Sequence, residues 1–391
     1  MAIRPEILTW ARETAGLSRE DAARAVGLTG KTALQRLAKL ESGEKEPAVP
    51  LLEKMAKAYR RPLVAFYLSQ PPAIGDRGQD FRTLPGEKLK NPDLDALIRD
   101  IKARQELVHS ILEDEEAPQV AFVGSATMDI PVTDLALRIA ERIGFKLEEF
   151  RRERTPYDAF DYLRKKIEEA GVFVLLIGNL GSYHTNIPVE IFRGFAIANR
   201  LAPMIVINDQ DARPAWSFTA LHEVVHLWLG TTGVSGEDAT AGIEQYCNDV
   251  ASEVLLPARD LNVFTGGLSR DRAVEMIDEY APQWRLSHQM VAYKLFRQGK
   301  LGHHTWTEIK QVFHERFLAF KAQQSAKQKE SEGGANYYTV KRHRVGSGLL
   351  SLMRRALNDG KTTYTKAGRV LGVKPRNVEN LLAPATNRGL R

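Results

Sequence analysis

Only one cysteine, Cys247, stands among 391 residues. Its solitude excludes an intramolecular disulfide and any zinc cluster built on several thiolates, and it fits a reducing compartment. Long apolar runs are equally scarce. The longest, Val172 to Ile177, is far too short to cross a bilayer. The opening stretch, MAIRPEILTWARETAG, carries acids early and no unbroken apolar core, so it is not expected to be a secretory signal. The expectation is a cytoplasmic protein without membrane association. What remains, 43% hydrophobic and 27% charged residues, is ordinary for a soluble globular chain and sufficient for two or three cores.

Charge is unevenly spread. Residues 1–70 hold 12 Lys+Arg against 8 Asp+Glu, residues 321–391 hold 15 against 4, and the net +6 therefore leaves −9 for the middle. Basic ends around an acidic middle imply that the ends meet a polyanion while the middle does something else.

The middle contains the stretch Ser217 to Gly230, SFTALHEVVHLWLG. Residues four apart share a helix face, so His222 and His226 can grip one metal ion. Glu223, beside the first histidine, is placed to take a proton from water. Catalytic zinc takes three protein ligands, and the downstream acids offer Glu237, Asp238, Glu244, Asp249 and Glu253. Glu237 and Asp238 fall in a Gly/Thr/Ser-rich loop. Glu244 is read as opening the next helical run, with Asn248 one turn below it. Cys247, three residues after Glu244, could reach a metal but is read as a packing residue, and His288, His303, His304, His314 and His343 as surface or core histidines.

Residues 1–70 predict short helices at Ile3–Ala15, Arg19–Val26 (Ser18 as N-cap) and Lys31–Leu40, the last two joined by a tight glycine-containing turn. Leu17-Ser18, Ala22-Ala23, Val26-Gly27-Leu28, Leu37, Leu40-Glu41-Ser42-Gly43 and Pro47 resemble the XRE (Cro/C1-type) helix-turn-helix family. That resemblance implies a third helix entering the DNA major groove, with Lys31, Thr32, Gln35, Arg36 and Lys39 as the DNA-binding residues. Gly30 and Ala33 are small, so base reading rests on few side chains. Leu51–Leu68 predicts a further helical stretch, 76–90 a linker, and Asn91–Glu115 a connector helix.

From about residue 119 a mixed α/β segment is expected. Helices are predicted at Val132–Phe150 and Asp158–Ala170, and strands at Val172–Ile177, Glu190–Ile197 and Met204–Asn208. Phe218 to His226, followed by Glu244-x-x-Cys247-Asn248-x-Val250-Ala251-x-x-Val254-Leu255-Leu256-Pro257, resembles the ImmA/IrrE family of metallo-endopeptidases. The Asp80-Phe81-Arg82 segment and the strand ending in Asn208 fit as well. Family members carry alanine where Cys247 stands and often phenylalanine where Val250 stands. The resemblance implies Zn²⁺ held by His222, His226 and Glu244, with Glu223 as general base. It also implies a protein substrate such as a repressor or antitoxin, in stress response or toxin–antitoxin control. Tyr183 and His184, in the loop Gly178–Pro188, are weak candidates for oxyanion stabilisation. The alternative is a DNA-binding transcriptional regulator or toxin–antitoxin component whose metal site is structural or sensory.

The expected fold is therefore α+β and mostly helical. An all-α helix-turn-helix domain occupies 1–70, a linker and connector helix 71–118, and a zincin-like α/β metallopeptidase domain 119–320. A flexible linker is expected at 321–336, with Trp306–Ala319 before it as an amphipathic helix burying Ile309, Val312, Phe313, Phe317 and Phe320. A basic, helix-turn-helix-like C-terminal domain follows at 337–391, suited either to nucleic acid or to docking on the peptidase part.

Overall fold

The computed structural model describes residues 3–72, 91–231, 237–264, 267–330 and 336–383, with the side chains of 183, 237–240 and 324–330 outside that description. The fold is α+β and mostly helical. Helices α1 (Pro5–Thr14), α2 (Arg19–Ala25), α3 (Ala33–Glu41) and α4 (Val49–Ala58), with a 3-10 turn at Leu63–Tyr67, enclose a core of their own around Ile7, Leu37, Leu52, Met55 and Phe66. Ser18 caps α2, its hydroxyl accepting from Asp21 N at 3.0 Å. Glu41 at the end of α3 is buried between Arg12 (2.5 Å) and Arg19 (2.9 Å), pinning α3 to α1 and α2. Asp80-Phe81-Arg82 and the rest of the predicted 76–90 linker lie outside the described residues.

Helix α5 (Pro92–Asp114) starts at Asn91, whose side chain accepts from the N–H groups of Asp93 and Leu94. The predicted Val132–Phe150 helix is two, α6 (Val132–Ile143) and α7 (Leu147–Arg152). Gly144 adopts φ +64° between them, a left-handed conformation that ends α6. Helix α8 (Pro156–Glu169) leads into β1 (Phe173–Leu176), followed by β2 (Gly194–Ile197) and β3 (Met204–Ile207). Sheet order is β1-β3-β2, with β1 parallel and β2 antiparallel to β3. The predicted strand from Glu190 begins only at Gly194. Residues before it turn, because Asn208 donates to the carbonyls of Ile187 and Phe192 and holds that segment bent.

Both faces of this sheet are covered, which is why its strands read as unbroken apolar runs. Val174, Leu176, Ala196, Ile205 and Ile207 point into one core; Leu175, Phe195, Met204 and Val206 point into the other. The first core is shared with α6, α8, α9 (Arg213–Leu229), α10 (Glu237–Leu255), α11 (Arg270–Gln283), α12 (His288–Arg297) and α13 (His303–Glu330). Lys321–Glu330, read as linker from its composition, continues α13 as helix, and Phe320 is exposed rather than buried.

The second core is shared with α5, α14 (Tyr337–Val345), α15 (Ser347–Asn358), α16 (Tyr364–Leu371) and α17 (Val378–Leu382). The basic C-terminal helices thus dock on the sheet. Arg164 of α8 donates to the carbonyls of Val174 and His343, and Glu168 accepts from the N–H groups of Ser347 and Gly348. Arg344 pairs with Asp209 at 2.6 Å and Arg355 with Glu115 at 2.7 Å. Among the described residues no helix is long and apolar enough to cross a membrane.

Candidate metal centre

Helix α9 is buried along most of its length because it lies between α8, α10 and strands β2 and β3. His222, Glu223 and His226 are consequently buried, at 0%, 2% and 5% exposure. The two Nε2 atoms stand 2.9 Å apart, and Glu244 of α10 reaches both, with Oε2 3.3 Å from His222 Nε2 and Oε1 3.2 Å from His226 Nε2.

The far side of each imidazole is fixed by oxygen. His222 Nδ1 lies 2.8 Å from Asn248 Oδ1, an acceptor, so Nδ1 carries the proton and the Nε2 lone pair faces Glu244 and His226. His226 Nδ1 lies 3.1 Å from Thr231 Oγ1, whose own O–H donates to the His226 carbonyl. Two imidazole lone pairs converging on a carboxylate form a set of donors that calls for a cation. With zinc–ligand bonds of about 2.0–2.2 Å, donors on a tetrahedral ion stand about 3.3–3.5 Å apart. The two histidine–glutamate separations match that spacing closely, and the histidine pair is slightly tighter. The residues present therefore fit a zinc ion.

His226 shows the same demand for positive charge. Burial alone would lower its affinity for a proton, yet hydrogen bonds to Cys247 and Glu244 and the charge of Glu223 raise its pKa well above the usual histidine range. Cys247, fully buried, places its sulfur with one ligand atom of each histidine in a group whose members all lie within 4.8 Å of one another. Its burial in the apolar core fits the packing role expected of it, and the two histidines are among its neighbours. The available signal was its position three residues after Glu244, on the same helix face as Glu244 and Asn248.

Glu244 occupies the interior of α10, which begins at Glu237, rather than the helix start expected for it. Of the other candidate acids, Asp249 is engaged by Arg297 at 2.6 Å and by Tyr293 at 2.8 Å, and Glu253 by Lys294 at 2.5 Å. Those pairs tie α10 to α12. The side chains of Glu237 and Asp238 lie outside the described residues.

Glu223 faces strand β2. A Cβ added at Gly194 would come 2.9 Å from Glu223 Oε1 and 2.6 Å from Thr219 Cγ2, so the missing side chain makes room for the carboxylate. His184 is exposed in the 3-10 turn Tyr183–Thr185, and the side chain of Tyr183 lies outside the described residues. The oxyanion role considered for that pair rests on loop position alone. His343 stacks on Tyr157 at 4.6 Å and meets Asp161 at 3.0 Å, a packing role.

In the N-terminal bundle, Lys31, Thr32, Gln35, Arg36 and Lys39 are all exposed. Helix α3 begins at Ala33, two residues later than expected, so Lys31 and Thr32 lie in the turn leading into it.

Comparison with known families gives two matches. Residues 183–296 match the peptidase M78 family, described as an IrrE N-terminal-like domain, and residues 8–66 match a helix-turn-helix family. No curated protein and no solved structure matches the chain.

Proposed function

We propose that this chain, which joins an XRE-type helix-turn-helix to an IrrE/ImmA-like peptidase domain, is a cytoplasmic zinc-dependent endopeptidase. It would cleave a protein such as a transcriptional repressor or antitoxin and so control gene expression. One observation carries the proposal: His222, His226 and Glu244 converge within 3.3 Å of one another, with Glu223 buried one residue from the first histidine.

His222, His226 and Glu244 would hold the ion, and zinc bound there supplies Lewis acidity toward a peptide carbonyl. Asn248 and Thr231 orient the two imidazoles. Glu223 takes the proton of the attacking water and passes it to the departing amine nitrogen. Its burial against β2 excludes competing solvent and keeps the carboxylate on one side of the site. Among the described residues strand β2 pairs on one side only, with β3. An extended substrate backbone laid along its other side would run past Gly194 and Glu223.

The exposed Lys31, Thr32, Gln35, Arg36 and Lys39 would bind DNA and raise the local concentration of the peptidase near a DNA-bound substrate. Deleting residues 1–70 is expected to weaken cleavage of that substrate in cells; unchanged cleavage would rule out the tether.

The second reading is a DNA-binding regulator or toxin–antitoxin component whose metal site is structural or sensory. The sulfur of Cys247, grouped with the two histidines, favours it, since thiolate ligands are common in structural zinc sites. Glu223→Gln separates the two. Zinc retained with loss of one cleaved protein from the cell's proteome supports the peptidase. Zinc retained with unchanged cellular function refutes it.

A further inference from the structure

Helix α10 turns three adjacent side chains toward the histidines: Glu244, Cys247 and Asn248, at positions i, i+3 and i+4. Two of them have clear tasks there. Glu244 faces both Nε2 atoms, and Asn248 accepts from His222. The third is the chain's only thiol. It is fully buried and lies within 4.8 Å of a ligand nitrogen of each histidine. Cys247 packs in the apolar core, as a packing cysteine would, but it also stands within 4.8 Å of the histidine nitrogens that Glu244 faces from the same helix.

We propose that Cys247 is the fourth protein ligand of the metal, making the centre a His222–His226–Glu244–Cys247 site in its resting state. The inference rests on the metal-binding reading of His222, His226 and Glu244 and adds the sulfur to it. Thiolate binds zinc strongly, and a donor set of two nitrogens, one oxygen and one sulfur completes a tetrahedron. The place filled by sulfur is then the one that a catalytic centre leaves to solvent, so the resting centre is closed and peptide cleavage requires the thiolate to leave the ion. Metal retention consequently depends on a thiol, and chemical modification of that thiol would loosen the ion.

Cobalt substitution tests this without a peptide substrate. The purified full-length protein, Cys247→Ala, Cys247→Ser and His226→Ala are stripped and titrated with Co²⁺. Zinc affinity is measured by chelator competition, and circular dichroism of each metal-free variant verifies folding. Wild type is expected to show intense near-ultraviolet sulfur-to-cobalt charge transfer. Cys247→Ala should lose that band, keep the visible cobalt bands at shifted positions, and bind zinc at least roughly tenfold more weakly. Superimposable spectra and equal zinc affinity for wild type and Cys247→Ala would overturn the sulfur ligand. If His226→Ala alone then loses the metal, the two-histidine site survives without it. Failure of wild type itself to bind either metal would overturn both proposals.

Discussion

Gly194→Ala probes the fit between strand β2 and the helix that carries the histidines. The added methyl would stand 2.6 Å from Thr219 Cγ2, 2.9 Å from Glu223 Oε1 and 3.1 Å from the Val206 carbonyl oxygen, where ordinary van der Waals approach begins near 3.4 Å. The worst approach must open by about 0.8 Å, and neither neighbour yields freely. Val206 is backbone within β3, and Thr219 is 2% exposed on α9. Overpacking of this kind costs about 1–3 kcal/mol. Replacing glycine inside a strand returns roughly 0.5–1 kcal/mol of that through the unfolded chain. A net loss of about 1–2 kcal/mol is expected. Thr219→Ser deletes the nearest atom and by itself costs about 1 kcal/mol for the lost methyl. In the Gly194→Ala background it should cost far less, or restore stability, giving a coupling of about 1 kcal/mol or more. Equilibrium urea unfolding, followed through Trp216 and Trp228 of α9 with zinc content checked in each variant, measures the cycle. Because the methyl also presses on Glu223, proteolysis should fall while zinc stays bound. Effects that add to within about 0.5 kcal/mol would refute the packing geometry.

Three further outcomes follow from other parts of the molecule. Glu41→Ala strands the buried Arg12 guanidinium and should destabilise the helix-turn-helix by about 3–5 kcal/mol, whereas Arg19→Ala, at the exposed end of the same cluster, should cost under about 1 kcal/mol. Hydrogen exchange of α1–α3 amides distinguishes the two, and equal losses would contradict the burial argument. Lys341 is held down to about 8, first by burial and then by Arg104 and Arg344, against partial relief from Asp100 and Asp209. Its folded pKa lies below the unfolded value of 10.5, so the unfolded chain binds more protons between about pH 8 and 10.5 and stability should rise with pH across that window. Lys341→Met should remove that rise and stabilise the protein at pH 7 by an amount on the order of 3 kcal/mol at most, read from Tm against pH; a rise that persists in the variant would exclude Lys341 as its source. Replacing Arg36 or Lys39 by alanine should weaken DNA binding in anisotropy titrations and lower the salt slope by about one for each phosphate no longer neutralised. An unchanged slope in both would remove this face of α3 from the DNA.

How much of this was legible in the sequence depended on whether a signal was local. The α2 N-cap, the histidine spacing on α9 and the apolar strand runs each depend on residues a few positions apart, and each element was expected close to where it lies. Boundaries failed where one glycine decided them. Gly144 splits α6 from α7, while Gly242 sits inside α10 although the residues around it read as loop. The charge pattern was legible only as a pattern. A basic run has the same composition whether it meets DNA or an acidic neighbour, and here Arg344 and Arg355 meet Asp209 and Glu115. Part of the +11 at the C-terminal end is thus neutralised by the −9 middle, which leaves less of it for a polyanion. The site divides the same way. Spacing of four places two imidazoles on one face of α9 whatever surrounds it. What α10 presents to them depends on how that helix is rotated about its own axis, and the Asp249–Arg297 and Glu253–Lys294 pairs to α12 help set that rotation. Asp249 and Glu253, sequence candidates for the metal, are turned toward α12 by the same rotation that turns Glu244, Cys247 and Asn248 toward the histidines.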